Sequence, residues 1–280
     1  MKSKCLVIFK KKSCGGAKAL LMVLTLFFGG LLALESRYAV FRINNIKTSY
    51  QQIVKTRVMW DIISPAEERF WPLFFINTRE HEKKLEKFYP VKVKIKLDSW
   101  GAFRIELVNL SPIFKMYWGD KYWYISDSGM AWLNSLPENQ CLSLKNAEEK
   151  PLLIWNSDRQ LPLDLVSENG NIIKTSLNIT KINEWYSKLE ALGWMHNIKF
   201  VIASMDKKKP VVNIVFKNKD GVGVTLQLKD DPSTWIEVGL AIKKIYPDLT
   251  ILTPEVFIDT TYENKILIKN IKNNQKGATK

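Results

Sequence analysis

Residues 91–107 read VKVKIKLDSWGAFRIEL. Val91, Val93, Ile95 and Leu97 alternate with Lys92, Lys94 and Lys96, and a period of two predicts a half-buried strand. Asp98 to Gly101 has turn composition. Phe103, Ile105 and Leu107 then alternate with Arg104 and Glu106, which predicts an antiparallel partner strand. Upstream, Asn77 precedes Glu80 by three positions, a capping-box spacing. A helix is expected over Thr78–Phe88, burying Leu85 and Phe88, exposing a charged face that includes His81, and ended by Pro90. Phe74-Phe75-Ile76 is a short apolar run. Before it, Ser64-Pro65 breaks a helix expected over Thr48–Val58, where Tyr50, Ile53, Val54 and Val58 recur at helical spacing. A short strand is expected at Phe41–Ile46. Strand, helix, helix, strand, strand is an α+β unit, placed at residues 38–110.

Beyond Pro112 a second unit is expected over residues 111–271. Tyr117–Ile125 reads as a strand with a Gly119-Asp120 turn inside it. Residues 137–151 are polar and aperiodic, which suggests a loop or linker. Ile182, Trp185, Tyr186, Leu189 and Leu192 form a helical stripe ending at Gly193. Strands are expected at Lys199–Ala203, Val211–Phe216 and Val222–Leu228, with Lys207–Lys209 and Lys219–Gly221 in the turns. Trp235–Tyr246 reads as a second helix, and Val256–Asp259 and Lys265–Ile271 as the last strands. This is a mixed or antiparallel β domain with two helices, followed by a polar tail at 272–280 expected to be disordered.

At the other end, Ala19–Leu34 reads ALLMVLTLFFGGLLAL, without a charge. Lys2, Lys4, Lys10, Lys11, Lys12 and Lys18 precede it, with no acid among them. The expectation is a basic cytoplasmic tail at 1–18 and a transmembrane helix at 19–37 anchored by Leu20, Leu24, Phe27 and Leu31. The chain then places as a single-pass type II protein of the inner membrane, its bulk outside the cytoplasm. A cleaved signal peptide ending near Leu31-Leu32-Ala33 is one alternative, and a buried helix of a soluble protein, against which the one-sided lysine cluster argues, is the other.

The net charge is +14, of which the first 18 residues carry six. The remaining lysines are interleaved with acids, so no basic stripe for nucleic acid is expected. Of the three cysteines only Cys141 follows the apolar segment, so no disulfide framework is expected there. Two histidines and these cysteines give no metal-ligand spacing, and no metal or other cofactor is expected. Asp127-Ser128-Gly129 superficially matches an aspartic protease, whose chemistry needs a second carboxylate. The only counterpart is Asp259-Thr260-Thr261, so a hairpin turn is the preferred reading.

The order of these features resembles the FtsQ/DivIB family of bacterial cell-division proteins. The motifs are Tyr89-Pro90 before the alternating strands, Trp100-Gly101 at the turn, Asn109–Pro112 at the exit, Asp127-Ser128-Gly129, and Ile258-Asp259-Thr260-Thr261-Tyr262 near the end. Asn109-Leu110 stands where the family carries a glutamate and an arginine, and Thr260-Thr261 where it carries leucine and arginine. The resemblance implies a POTRA domain followed by the β domain. It implies no enzymatic activity and no small-molecule substrate. The implied function is a divisome scaffold at the septum that binds bitopic partners of the FtsB/DivIC and FtsL kind and couples them to septal peptidoglycan synthesis. A partner segment would add as a strand to the last β edge, at Tyr262, Asn264, Lys265, Ile266 and Leu267. The plainer alternative for these residues is an ordinary edge with Tyr262 capping the core. Another POTRA-containing envelope assembly or secretion module is the alternative for the whole chain, and a membrane-anchored hydrolase the remaining one.

Overall fold

The structure is a computed structural model that describes residues 15–38, 40–49, 53–157, 161–163, 170–205, 209–217, 223–252, 256–262 and 265–270. The expected tail at 272–280, Lys207-Lys208 and the Lys219–Gly221 turn lie outside the described residues. Helix α1 covers Gly15–Tyr38. Next come β1 (Asn45–Thr48), α2 (Thr56–Ile62), α3 (Pro65–Arg69), α4 (Trp71–Ile76), α5 (Thr78–Phe88), β2 (Val91–Ser99) and β3 (Ala102–Asn109). They are followed by β4 (Pro112–Trp118), β5 (Lys121–Ser126), β6 (Met130–Leu133), α6 (Lys145–Glu148), β7 (Leu152–Asn156) and β8 (Ile172–Lys174). The chain continues through α7 (Ile179–Ala191), β9 (Ile198–Ser204), β10 (Val211–Phe216), β11 (Thr225–Lys229), α8 (Trp235–Ile245), β12 (Val256–Asp259) and β13 (Leu267–Asn270). The class is α+β. One sheet has three strands in the order β1-β3-β2, and the other has ten, β13-β12-β11-β10-β9-β7-β4-β5-β6-β8.

The expected membrane anchor is overturned. Among the described residues no helix is long and apolar enough to cross a membrane. The uncharged run inside α1 is sixteen residues, roughly 24 Å of helix against a hydrocarbon core of about 30 Å. Leu20, Leu24 and Phe27 lie exposed on α1, and the Leu31 side chain is outside the described residues. The type II inner-membrane placement was drawn from that span and falls with it.

Chain contacts divide the described residues into two compact units. The first comprises residues up to Ser49, Lys55–Arg79 and Ile95–Ile105; the second holds the rest. In the first, β1 runs parallel to β3, with Ile46 opposite Phe103 and Thr48 opposite Ile105. That pairing overrides the helical pattern expected from Thr48. The Ser49 amide also donates to the Ile105 carbonyl at 3.0 Å, and the helix begins only at Thr56. The strand itself starts four residues later than Phe41, and the Phe41 ring instead packs against Phe70 and Trp100, 5.4 and 5.6 Å between centroids. Ser64-Pro65 starts a helix rather than ending one. The Ser64 hydroxyl accepts from the Glu67 amide, the Glu67 carboxylate accepts from the Ser64 amide, and Pro65 occupies the first turn. The capping box therefore lies here, and the Asn77 amide group is spent on Glu67 at 2.8 Å. Gly101 closes the β2–β3 turn at φ 68°.

Helix α5, most of which belongs to the second unit, keeps its expected bounds but not its expected face. His81 is buried with Leu85, while Phe88, the last helical residue, stands 45% exposed. Tyr117–Ile125 is a hairpin of β4 and β5, turned by Gly119 and Asp120 at φ 59° and 58°, the pair of positive values that a type I′ turn demands. One face of the large sheet carries the main core. Phe114, Leu153, Val201, Ile214, Leu226 and Ile258 meet Trp185 and Leu189 of α7 and Trp235 and Ile242 of α8. Trp185 and Trp235 stack at 6.0 Å, and their indoles donate to the Asp230 and Lys229 carbonyls at the end of β11. Residues 137–151, expected as a loop or linker, form a connection with packed helical turns of its own. A 3-10 turn at Pro137–Cys141 and helix α6 pack Leu136, Leu142, Leu144 and Ala147 against Tyr124, Trp132 and Ile172. The apolar residues of this stretch are irregularly spaced, so they carry no periodic signal.

Candidate partner-binding edge

The far end of the chain builds one rim of the ten-stranded sheet. Strand β12 runs parallel to β11, with Leu226 opposite Ile258. Strand β13 then returns antiparallel, pairing Leu267 with Asp259, Ile268 with Ile258 and Lys269 with Phe257. The turn between them is held by the residues singled out in the sequence. Asp259 is buried, and its Oδ1 accepts from the Thr261 amide at 3.0 Å and the Thr261 hydroxyl at 2.7 Å. Thr260 donates through both its amide and its hydroxyl to the Gln227 carbonyl, at 3.1 and 2.8 Å. The Ile258–Tyr262 motif is thus a clamp that fastens the chain to Gln227 in the middle of β11.

Tyr262 leaves this clamp 52% exposed. With Lys265 and Ile266 it lines a cavity of about 470 Å³ whose other wall is α8, through Trp235, Val238 and Ala241. Three of the five expected contact residues therefore meet at one cavity. Leu267 is the first residue of β13, opposite Asp259, and Asn264 lies outside the described residues. The α8 wall was missed at the level of sequence. Trp235, Val238 and Ala241 recur every three residues and mark a helix face, but nothing local says which loop lies opposite it.

The two rims of the sheet differ. At the β8 rim, Leu163 bridges Thr175, the Ser176 amide donates to the Pro162 carbonyl at 3.0 Å, and the Ser176 hydroxyl donates to the Leu161 carbonyl. At the β13 rim, no further strand is paired among the described residues. No protein-family model matches the chain, and no curated protein matches it. The aspartic-protease arrangement is not assembled. Asp127 follows β5 and Asp259 ends β12, six strand positions away, or about 29 Å at the usual inter-strand spacing. Carboxylates so placed cannot share a proton. Asp127-Ser128-Gly129 is a hairpin turn, with Gly129 at φ 74° and its amide donating to the Ser126 carbonyl.

Proposed function

We propose that this protein is a binding scaffold of the FtsQ/DivIB kind that captures division proteins of the FtsB/DivIC and FtsL kind, couples them to septal peptidoglycan synthesis, and holds a partner segment as an added strand along β13. The observation that carries the reading is the outer rim of β13, which pairs with no further strand among the described residues, beside the Tyr262 cavity. An open strand edge presents N–H and C=O groups that pair with any extended backbone, and a neighbouring pocket selects among side chains. Lys265 and Lys269 at this edge keep it from pairing indiscriminately. The three-stranded sheet in the order β1-β3-β2 and the Trp100-Gly101 turn support the same family reading.

The test is direct binding of the purified protein to FtsB/DivIC-like and FtsL-like partners. Adjacent residues of an antiparallel strand point their amides to opposite sides, so one of Ile268→Pro and Lys269→Pro removes an outward donor while leaving the β12 pairing intact. That variant keeps its melting temperature and loses the partner. Tyr262→Ala weakens binding by tenfold or more if Tyr262 anchors the segment. Depletion in the host gives filamentous cells. Undisturbed division after complete loss, or full binding by both proline variants, refutes the proposal.

A further inference from the structure

The face of the ten-stranded sheet opposite α7 and α8 carries a second cavity, of about 330 Å³, lined by Lys115, Tyr122, Ala147, Glu148, Lys150 and Leu152. Register puts its floor on three adjacent strands. Lys115 of β4 lies opposite Tyr124 of β5, and Tyr122 is two residues along β5 on the same face. Leu152 of β7 adjoins the Leu153–Met116 pair and faces the same way. Helix α6 supplies buried Ala147 and exposed Glu148 to its wall, and Tyr122 is likewise exposed, so the cavity is open to solvent.

The charges in this cavity are arranged unusually. Lys115 Nζ lies 5.2 Å from the Tyr122 ring centroid and 5.6 Å from that of Tyr124. The Tyr124 hydroxyl donates to Glu148 Oε1 at 3.1 Å. An ammonium and a carboxylate thus line one small cavity without forming an ion pair with each other, because Tyr124 holds each by a different part of its ring. Burial and the neighbouring Glu148 push the Tyr124 phenol up to about 12, so it remains the donor at neutral pH. The Lys150 ammonium is turned to another ring, 5.3 Å from the centroid of buried Tyr186.

We propose that this cavity binds a small zwitterion of the α-amino acid class, with its carboxylate on Lys115, its ammonium on Glu148 and its apolar side chain against Tyr122 and Leu152. A dianion such as phosphate is disfavoured by the carboxylate in the same wall. An organic cation is disfavoured because the Lys115 ammonium already occupies the aromatic faces it would seek. The volume is at the small end of ligand sites, which run from roughly 300 to 1,000 Å³.

The full chain is titrated by calorimetry with L-alanine, L-leucine and L-phenylalanine, and then with N-acetyl-L-leucine and L-leucinamide, which lack the ammonium and the carboxylate charge respectively. Saturable binding of at least one free amino acid is expected, with each blocked leucine weaker by about tenfold or more. Lys115→Met abolishes the preference for leucine over leucinamide, and Glu148→Gln that over N-acetyl-leucine. Lys145→Met on the same helix leaves binding unchanged, and thermal melting confirms that all variants fold. Absence of saturable binding by every free amino acid overturns the proposal. So does equal binding of the blocked forms, or unaltered selectivity in Lys115→Met and Glu148→Gln.

Discussion

The Trp132 indole donates to the Asn139 amide oxygen at 2.8 Å, and both side chains are buried. The same amide group donates to the Leu133 and Asn134 carbonyls at 3.2 and 2.7 Å. One side chain therefore satisfies a buried indole and two turn carbonyls, and ties residues 137–148 to the back of the sheet. Asn139→Ala leaves those groups unpaired inside the protein, at a cost of about 1–3 kcal/mol. The expected readouts are a lower melting temperature and faster proteolytic cleavage within 137–148 than elsewhere in the chain.

Gly101 is held by two independent constraints. Its φ of 68° is unfavourable for residues with a side chain, and a Cβ there would lie 2.6 Å from the Arg42 carbonyl oxygen. That oxygen belongs to backbone fastened nearby by the Asn44 amide, which donates to the Gly101 carbonyl at 2.8 Å. Gly101→Ala is expected to cost at least the roughly 1–2 kcal/mol of the left-handed conformation, with displacement of residues 42–44 in addition. Chemical denaturation checks the loss, and amide exchange localises it to β1 and the β2–β3 turn.

Gly239 on α8 allows Leu192 to approach closely. An added Cβ would sit 2.5 and 2.6 Å from the two Leu192 methyl carbons, and Leu192 is itself buried. Helix propensity alone favours alanine at this position, so the sign of Gly239→Ala separates the two effects. Overpacking costs typically 1–3 kcal/mol and is expected to win, lowering the melting temperature. Gly239→Ala combined with Leu192→Ala should recover part of the overpacking loss, as a double-mutant cycle would measure.

Two buried tyrosines are expected to make the fold sensitive to alkaline pH. Tyr124 is pushed up to about 12 by burial and by Glu148, and burial raises Tyr186 as well. A phenol whose folded value lies above its unfolded value of about 10 stabilises the protein fully below pH 10. That contribution is lost as the pH rises from 10 through the folded values. Spectrophotometric titration should show these phenols ionising after the ordinary tyrosines, Tyr124 near 12, with one late phenol missing in Tyr124→Phe. Unfolding is expected to set in above pH 10. Ionisation of every tyrosine near 10 with the fold intact would contradict it.

Much of the local structure was legible because neighbouring residues determine it. The alternation at 91–107 places Val91, Val93, Ile95, Phe103, Ile105 and Leu107 inside, since a strand turns successive side chains to opposite faces, though Leu97 at the end of the first series stands exposed. The stripe from Ile182 to Leu192 is buried in full, and Gly193 follows it at φ 67°. Gly119-Asp120 turns for the reason its composition implies. What failed were expectations that depended on partners. Thr48 belonged to a strand because β3 lay beside it, and the polar stretch at 137–151 packed because Tyr124 and Trp132 offered a surface.

The candidate sites divide along the same line. The family resemblance of the sequence marked Asp259, Tyr262 and the strand after them, and its cysteine and histidine counts offered no disulfide framework and no metal-ligand spacing. Only the folded chain decided that β13 is the outermost strand among the described residues, that α8 walls the Tyr262 cavity, that Asp127 and Asp259 lie six strands apart, and that Lys115 and Glu148 share a cavity without pairing. Periodicity within a strand is written by adjacent residues. The order of strands in a sheet is settled by pairings between residues tens of positions apart, such as Asn45 with Ala102 and Leu152 with Phe200, and no local pattern encodes which edge those pairings leave open.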